Sequence, residues 1–203
     1  MNSVFPCVYL ARHGETAWSL SGQHTGLTDL PLTARGEENA RRLGERLAES
    51  AFSKVFTSPL QRARWTCQLA GFGAVTEVDN NLVEWNYGDY EGRRTPEIHA
   101  KRPDWQLFRD GCPGGESPAQ IGARADGVVN RLRAIKGNVL VFSSGHFLRA
   151  LASRWLGLEP AAGRFLALDT ASLSKLGYEN DLSQPVIRLW NDTNHLTNEP
   201  IKK

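Results

Sequence analysis

Short apolar runs alternate with segments of helical periodicity along this chain, and this alternation is the strongest constraint on its fold. Six such runs, rich in strand-forming side chains, lie at residues 4–11, 54–57, 75–78, 138–143, 173–178 and 186–190. Strands separated by helices predict an α/β three-layer sandwich, in which a mostly parallel central sheet has helices on both faces.

Helix-start signals precede the main segments between these runs. Thr33, Ser58 and Ser117 are suitable N-cap residues, and Ser58 is followed by a proline that fits the first helical position. They predict helices that extend to residue 49, to about residue 70 and to about residue 135. A further helix is expected to follow the run at residues 138–143 and to end near residue 156.

The length of 203 residues suits one α/β unit, so we expect a single domain over residues 1–203. Residues 80–115 contain scattered aromatic side chains, Gly-Asp and Pro-Gly turn signals and only short helical patterns. We interpret this segment as an insertion that covers part of the domain. The tail from about residue 197 is expected to be frayed.

Composition excludes several classes of protein. A net charge of +2 argues against a nucleic-acid binder that works through bulk electrostatics. Neither a membrane span nor a signal peptide is recognisable. Cys7, Cys67 and Cys112 are too few and too far apart for a disulfide framework or a C-x-x-C motif. We therefore expect a cytoplasmic protein with no nucleic-acid or membrane partner, and the sequence leaves open whether it forms a homo-oligomer.

Arginine and histidine residues stand where predicted strands end. Arg12 and His13 close the first run, His146 follows the run at residues 138–143, and Arg62 and Arg64 lie early in the helix after the second run. Ligands of open α/β sheets bind beyond the carboxyl ends of the strands, so neighbouring strands would bring these groups together. Such a cluster of cations needs an anion, and phosphate suits the planar fork of arginine.

Other phosphate chemistries do not match the sequence. There is no G-x-x-x-x-G-K-[ST] motif and no complete G-x-G-x-x-G motif. A cysteine-dependent phosphatase needs an arginine six residues after its cysteine, whereas those positions hold His13, Gly73 and Pro118. No metal-ligand motif or G-x-S-x-G elbow is present either. Histidine itself remains as the nucleophile.

Histidine suits phosphoryl transfer because its neutral, nucleophilic form is available near neutral pH. Arginines and a second, protonated histidine would stabilise the charge of the transition state, and a carboxylic acid must protonate the leaving alkoxide. Glu84, among aromatic neighbours, is our candidate for this acid, with Glu91 as the alternative. His99 and His195 lack such a context, and we interpret them as surface residues.

Motifs at these positions occur in a recognisable order. They are LARHGET at 10–16, TGLTDLPLT at 25–33, SPLQRARWT at 58–66, Glu84 with YGDYEG at 87–92, GES at 115–117 and SGH at 144–146. This series resembles the histidine phosphatase superfamily, also called phosphoglycerate mutase-like, over about residues 8–156. The resemblance implies the phosphoglycerate mutase-like fold.

The resemblance also implies catalytic roles. His13 would be the nucleophile that becomes phosphorylated, and Arg12, Arg62 and His146 would form the phosphate pocket. Glu84 falls on the acid and base position of the family. Neither a metal nor a cofactor is implied.

Further matches concern the substrate. Thr25 and Gly26 match the loop that closes over it, and Tyr87 follows the acid in the matched motif. Ser19 occupies the place where mutases carry a phosphate-binding asparagine, which argues against a mutase.

Within the family, residues 18–26 and the paired arginines after the second strand look closest to the sedoheptulose-bisphosphatase-like branch. His24, Arg64 and Arg124 match or lie near its substrate-binding positions. The resemblance thus implies a metal-independent phosphatase of small phosphorylated metabolites, such as sugar phosphates or bisphosphates. The alternatives are a cofactor-dependent phosphoglycerate mutase and a non-catalytic phosphate-binding module.

Overall fold

A computed structural model describes residues 5–196, so the predicted frayed tail from residue 197 lies outside the described part. The strands are β1 (Val8–Arg12), β2 (Lys54–Thr57), β3 (Thr76–Val78), β4 (Val139–Ser143), β5 (Leu173–Tyr178) and β6 (Pro185–Asp192). They form one six-stranded sheet in the order β3-β2-β4-β1-β5-β6. The first four of these pair in parallel, and β5 pairs antiparallel with both β1 and β6, which confirms the predicted mostly parallel sheet.

Helices cover both faces of the sheet. They are α1 (Ala17–Ser21), α2 (Ala34–Leu47), α3 (Gln61–Leu69), α4 (Thr95–His99), α5 (Leu107–Asp110), α6 (Pro118–Arg133) and α7 (Gly145–Trp155). Alternate residues of β4 divide between two cores, because successive side chains of a strand point to opposite faces. Leu140 and Phe142 pack with α2 and α3, whereas Val139 and Val141 pack with α6 and α7. The predicted three-layer sandwich is therefore confirmed.

Two of the three predicted helix caps are confirmed, and one is wrong. The hydroxyls of Thr33 and Ser117 accept hydrogen bonds from the first turns of α2 and α6. By contrast, α3 begins at Gln61 instead of directly after Ser58. The Asp29 carboxylate accepts the Gln61 N–H at 2.7 Å, so a side chain distant in sequence fixes this start.

Two segments between the main elements contain short helices. The polar segment after β1 contains the short helix α1, which a capping box between Thr16 and Ser19 stabilises. Residues 80–115 contain only short helices, as expected, but they do more than cover the sheet. Trp85, Tyr87 and Trp105 are buried in the core beside α6 and α7.

Among residues 5–196, none of the helices has both the length and the apolar character needed to cross a bilayer.

Close backbone packing joins the start of α2 to the loop after β1. A Cβ at Gly36 would lie 2.2 Å from the Glu15 carbonyl oxygen, whereas a Cβ at Gly127 in α6 would have nothing within 4 Å. We expect Gly36→Ala to lower the free energy of unfolding by about 1–3 kcal/mol because the backbones must separate. The matched control Gly127→Ala should raise it by up to about 1 kcal/mol. Urea denaturation measures both changes, and equal midpoints would contradict this packing.

Candidate active site

Parallel pairing of β1 with β4 builds the site. Arg12 is opposite Ser143 in the register, and the His13 N–H donates to the Ser143 carbonyl at 2.9 Å. The next helix after β4 then starts beside His13 and carries His146 in its first turn. The two histidines therefore meet at the carboxyl ends of neighbouring strands, as the sequence predicts.

A cavity of about 180 Å³ opens at this edge of the sheet. Eight of the predicted site residues line it, namely Arg12, His13, Ser19, His24, Thr25, Glu84, Tyr87 and His146. The sequence thus identifies most of the wall before the fold is known.

His13 has the form that a nucleophile requires. Its Nδ1 lies 2.7 Å from the Gly14 carbonyl oxygen, and because a carbonyl only accepts, Nδ1 carries the hydrogen. The lone pair of Nε2 is then available for attack. Burial lowers the pKa of His13 well below its usual value, and the nearby charges of Arg62 and Arg12 lower it further. His13 is therefore neutral at physiological pH.

His146 differs from the protonated form that we expected. Desolvation lowers its pKa well below the usual value, and Arg149, His24 and Arg12 act in the same direction. Its Nδ1 shares a hydrogen bond of 2.5 Å with the Tyr87 hydroxyl, and burial raises the pKa of that hydroxyl well above its usual value. Tyr87 thus keeps its proton and donates to Nδ1. A neutral His146 then carries its hydrogen on Nε2, as a donor for a phosphoryl oxygen.

Glu84 is fixed by backbone donors of three residues. Its Oε1 accepts from the N–H groups of Trp85 at 2.8 Å and Phe147 at 2.7 Å, and its Oε2 accepts from His146 at 3.0 Å. Two of these donors belong to the first turn of α7, whose own N-cap residue, Ser144, makes no side-chain cap. A carboxylate from the 80–115 segment therefore caps the helix that carries His146.

Arg12 and Arg149 place positive charge on the wall of the cavity. Arg12 Nη1 donates to the Leu168 carbonyl at 2.5 Å, while its Nε is buried without a partner among the described residues. Arg149 Nε donates to the Gly163 carbonyl at 2.9 Å. Sequence analysis missed Arg149, although its position three residues after His146 on a helix indicated a shared face.

Arg62 lies one layer behind the cavity instead of on its wall. Its guanidinium donates to the carbonyls of Thr25, Gly26 and Thr28 at 2.7–3.1 Å. Arg62 therefore holds the loop through its Nη groups, while its Nε is buried without a partner among the described residues, and its place in the phosphate pocket stays a prediction. Its charge still acts on the site by lowering the pKa of His13.

Glu91 holds the same loop from the other side. Its Oε1 accepts the N–H of Gly26 at 2.8 Å and of Thr28 at 3.2 Å. A Cβ at Gly26 would lie 2.4 Å from Glu91 and 2.7 Å from the Trp85 carbonyl, so only glycine fits there. Glu91 thus positions the loop, and Glu84 remains the candidate acid.

Three predicted substrate contacts, Gly26, Arg64 and Arg124, do not line the cavity. Arg64 lies exposed on the outer side of α3, because it is two residues from the inward-facing Arg62 on a helix. Arg124 pairs with Glu116 at 2.7 Å and donates to the carbonyls of Val83 and Glu84 at 2.8 and 3.2 Å. It therefore holds the backbone of Glu84 and does not face the cavity.

The remaining histidines also differ from their prediction as surface residues. His195 is buried and hydrogen-bonds the Ala171 carbonyl at 2.9 Å. His99 hydrogen-bonds the Trp105 carbonyl at 2.9 Å and lines a second cavity.

The charges at the site favour a doubly charged anion. The guanidiniums of Arg12, Arg62 and Arg149 stand against the carboxylate of Glu84, and all three interact electrostatically with it. Even when Glu84 is ionised, two positive charges remain in excess, which matches a phosphate monoester. Within residues 5–196, no group of three His, Cys, Asp or Glu side chains could hold a metal ion.

Comparisons with known proteins show the family and the fold of this chain. The sequence model of the histidine phosphatase superfamily (branch 1) matches residues 8–193. An acid phosphatase of Mycobacterium tuberculosis is 44% identical over 179 residues, which cover 86% of this chain and 88% of that protein. A sedoheptulose 1,7-bisphosphatase of Saccharomyces cerevisiae is 39% identical, covering 78% and 70%. A solved Mycobacterium tuberculosis structure, 41% identical, aligns with a TM-score of 0.87 over 92% of this chain and 97% of the other.

Neutral desolvated histidines make stability depend on pH. Folding lowers the pKa values of His13 and His146, so below about pH 6.5 the unfolded chain binds protons that the folded chain does not. The free energy of unfolding should therefore fall as pH falls, by about 1 kcal/mol for each histidine between pH 6.5 and 5.5. Urea denaturation at pH 7.5, 6.5 and 5.5 measures this loss. A double variant, His13→Gln with His146→Gln, should lose less, and an unchanged pH slope would contradict the assignment.

Proposed function

Because the chain belongs to the histidine phosphatase superfamily, we propose that it is a metal-independent phosphatase of small phosphorylated metabolites that works through a phosphohistidine on His13. The observation that carries this proposal is the pairing of His13 with a second imidazole donor, His146, in one cationic cavity. The fixed tautomer of His13 leaves Nε2 free to attack.

In the first step, His13 Nε2 attacks the phosphorus atom of the monoester and the bond from phosphorus to the ester oxygen breaks. Arg12, Arg149 and the Nε2–H of His146 stabilise the charge on the equatorial oxygens. Glu84, as the carboxylic acid, gives its proton to the departing alkoxide. The products are the free alcohol, phosphohistidine and the Glu84 carboxylate.

In the second step, a water molecule attacks the phosphohistidine and gives its proton to the Glu84 carboxylate. The bond between phosphorus and His13 breaks, and inorganic phosphate leaves. Glu84 ends as the acid and His13 as the neutral imidazole, so the enzyme returns to its starting state.

Substrates for a first screen follow from the relatives. The similarity to a sedoheptulose 1,7-bisphosphatase places sugar phosphates and bisphosphates in that screen, and the similarity to an acid phosphatase supports a broader panel. Ser19 lines the cavity where a mutase would carry an asparagine, which favours hydrolysis over phosphoglycerate mutation.

A cytoplasmic location is part of the proposal. Cys7, Cys67 and Cys112 are buried free thiols, and burial raises the pKa of Cys67 to about 11 and of Cys112 to about 12. Such thiols are unreactive, and their number supports a reducing compartment.

The central test is removal of the nucleophile. His13→Ala should lower kcat by at least about a thousandfold while leaving the circular dichroism spectrum unchanged. Phosphate release from a metabolite panel measures the loss, and wild-type activity should persist in EDTA. Quenching the wild type during turnover in alkaline detergent should trap a phosphoenzyme that is stable to alkali and labile to acid, and that His13→Ala cannot form. Undiminished turnover by the variant would overturn the proposal, and predominant isomer formation from primed phosphoglycerate would favour a mutase.

A second test measures the contribution of Glu84 as the acid that protonates the leaving group. Glu84→Gln cannot donate a proton, so kcat/KM for an alkyl phosphate, which reports the steps up to release of the alcohol, should fall by about a hundredfold to ten-thousandfold. The decrease should be much smaller for p-nitrophenyl phosphate, whose leaving group needs no proton.

The exposed carboxylate Glu77, which pairs with Lys54 at the sheet edge, offers the matched control. Glu77→Gln should leave both rates unchanged. An equal decrease in kcat/KM for both substrates in Glu84→Gln would show that Glu84 does not protonate the leaving group.

A further inference from the structure

A second, larger cavity adjoins the catalytic one. It has a volume of about 640 Å³, compared with about 180 Å³ for the catalytic cavity. His24 and His146 line both, so the two spaces meet at the imidazole that faces the phosphoryl group. We call the larger space the aromatic cavity and define it by its walls of Trp105, Leu107, Phe108 and Phe165.

These walls present ring faces and edges. Phe108 packs edge-on against His146 with ring centroids 5.6 Å apart, and Trp105 packs edge-on against His24 at 5.7 Å. Phe165 is 73% exposed, which is unusual for so large an apolar side chain. An apolar group bound here would cover exposed aromatic surface next to the site of reaction.

Most polar groups of the aromatic cavity already have partners within the protein. His24 shares a hydrogen bond with Thr95 at 3.3 Å, and His99 is bonded to the Trp105 carbonyl. The Trp105 indole N–H donates away from the cavity to the Gly111 carbonyl at 2.8 Å. No carboxylate is among the described residues that line it. A polyhydroxylated group would therefore lose water here and regain few hydrogen bonds.

The single charge on the wall is also engaged. The guanidinium of Arg164 lies over the Phe165 ring, 4.5 Å from its centroid. Arg164 is exposed, so it marks the rim of the cavity and leaves the interior apolar.

We propose that the aromatic cavity binds the alcohol part of the substrate, and that the preferred substrates are phosphate monoesters whose alcohol carries an aromatic ring or an apolar group of similar size. This inference rests on the proposed function and narrows its substrate class. The phosphoryl group occupies the cationic cavity, and the ring extends past His24 and His146 towards Phe165. Sugar phosphates remain substrates of lower kcat/KM.

The test compares esters of similar leaving-group reactivity. Benzyl phosphate and glycerol 3-phosphate both release an alkoxide, so phenolate reactivity does not enter. The kcat/KM for benzyl phosphate should exceed that for glycerol 3-phosphate and glucose 6-phosphate by about tenfold to a hundredfold, as expected for burial of one ring. Equal or greater kcat/KM for glucose 6-phosphate or fructose 1,6-bisphosphate would overturn the inference.

A variant tests whether the preference for benzyl phosphate arises in the aromatic cavity. Phe165→Ala should lower kcat/KM for benzyl phosphate about threefold to tenfold and leave that for glycerol 3-phosphate unchanged. Leu182→Ala removes a similarly exposed apolar side chain from the turn between β5 and β6, and it should change neither. An equal decrease for both esters in Phe165→Ala would contradict a role for the aromatic cavity.

A binding measurement separates this inference from the proposed function. Calorimetry with benzylphosphonate and methylphosphonate requires no turnover, and benzylphosphonate should bind at least about tenfold more tightly. Phe165→Ala should remove part of that difference. Equal affinities would overturn the substrate preference assigned to the aromatic cavity and leave the proposed function untouched. Tight binding of benzylphosphonate without hydrolysis of any ester would overturn the proposed phosphatase activity.

Discussion

The parallel pairing of β1 with β4 is the interaction on which the site depends. It sets Arg12 opposite Ser143 and carries His13 directly to the start of α7. A parallel pair places both carboxyl ends at one edge, so residues about 130 positions apart in sequence share one cavity. An antiparallel neighbour could not do this, and β5, on the other side of β1, contributes no residue to the catalytic wall.

Glu84 links this strand geometry to the rest of the molecule. Its carboxylate caps α7 through the N–H groups of His146 and Phe147, and Arg124 holds the backbone carbonyl of Glu84. The proposed acid thus also connects the 80–115 segment to α7, the helix that carries His146. Because these hydrogen bonds join the Glu84 carboxylate directly to the backbone of His146, they fix the position of the acid relative to the second imidazole.

The sequence predicted those parts of the site that follow from strand ends. His13 and His146 were found because each follows an apolar run, and Glu84 was chosen for its aromatic neighbours and then matched the acid position of the family. Arg124 and Arg64 were assigned wrongly, because the reach of a long guanidinium side chain depends on tertiary contacts that spacing does not encode. The start of α3 was misplaced for a related reason, since Asp29 fixes it from a distant loop.

Desolvation lowers the pKa values of both kinds of basic group at the site but leaves them in different protonation states. It lowers the pKa values of His13 and His146 far enough to make them neutral, whereas arginine starts so high that Arg12 and Arg149 stay charged. Neutral histidines are needed, since a protonated His13 would have no lone pair for attack and would add repulsion. The arginines then carry the positive charge that the phosphoryl group meets, while the histidines supply a lone pair and a hydrogen-bond donor. Burial thereby gives the histidines and the arginines of one basic cluster different roles, since the histidines become neutral and the arginines stay charged.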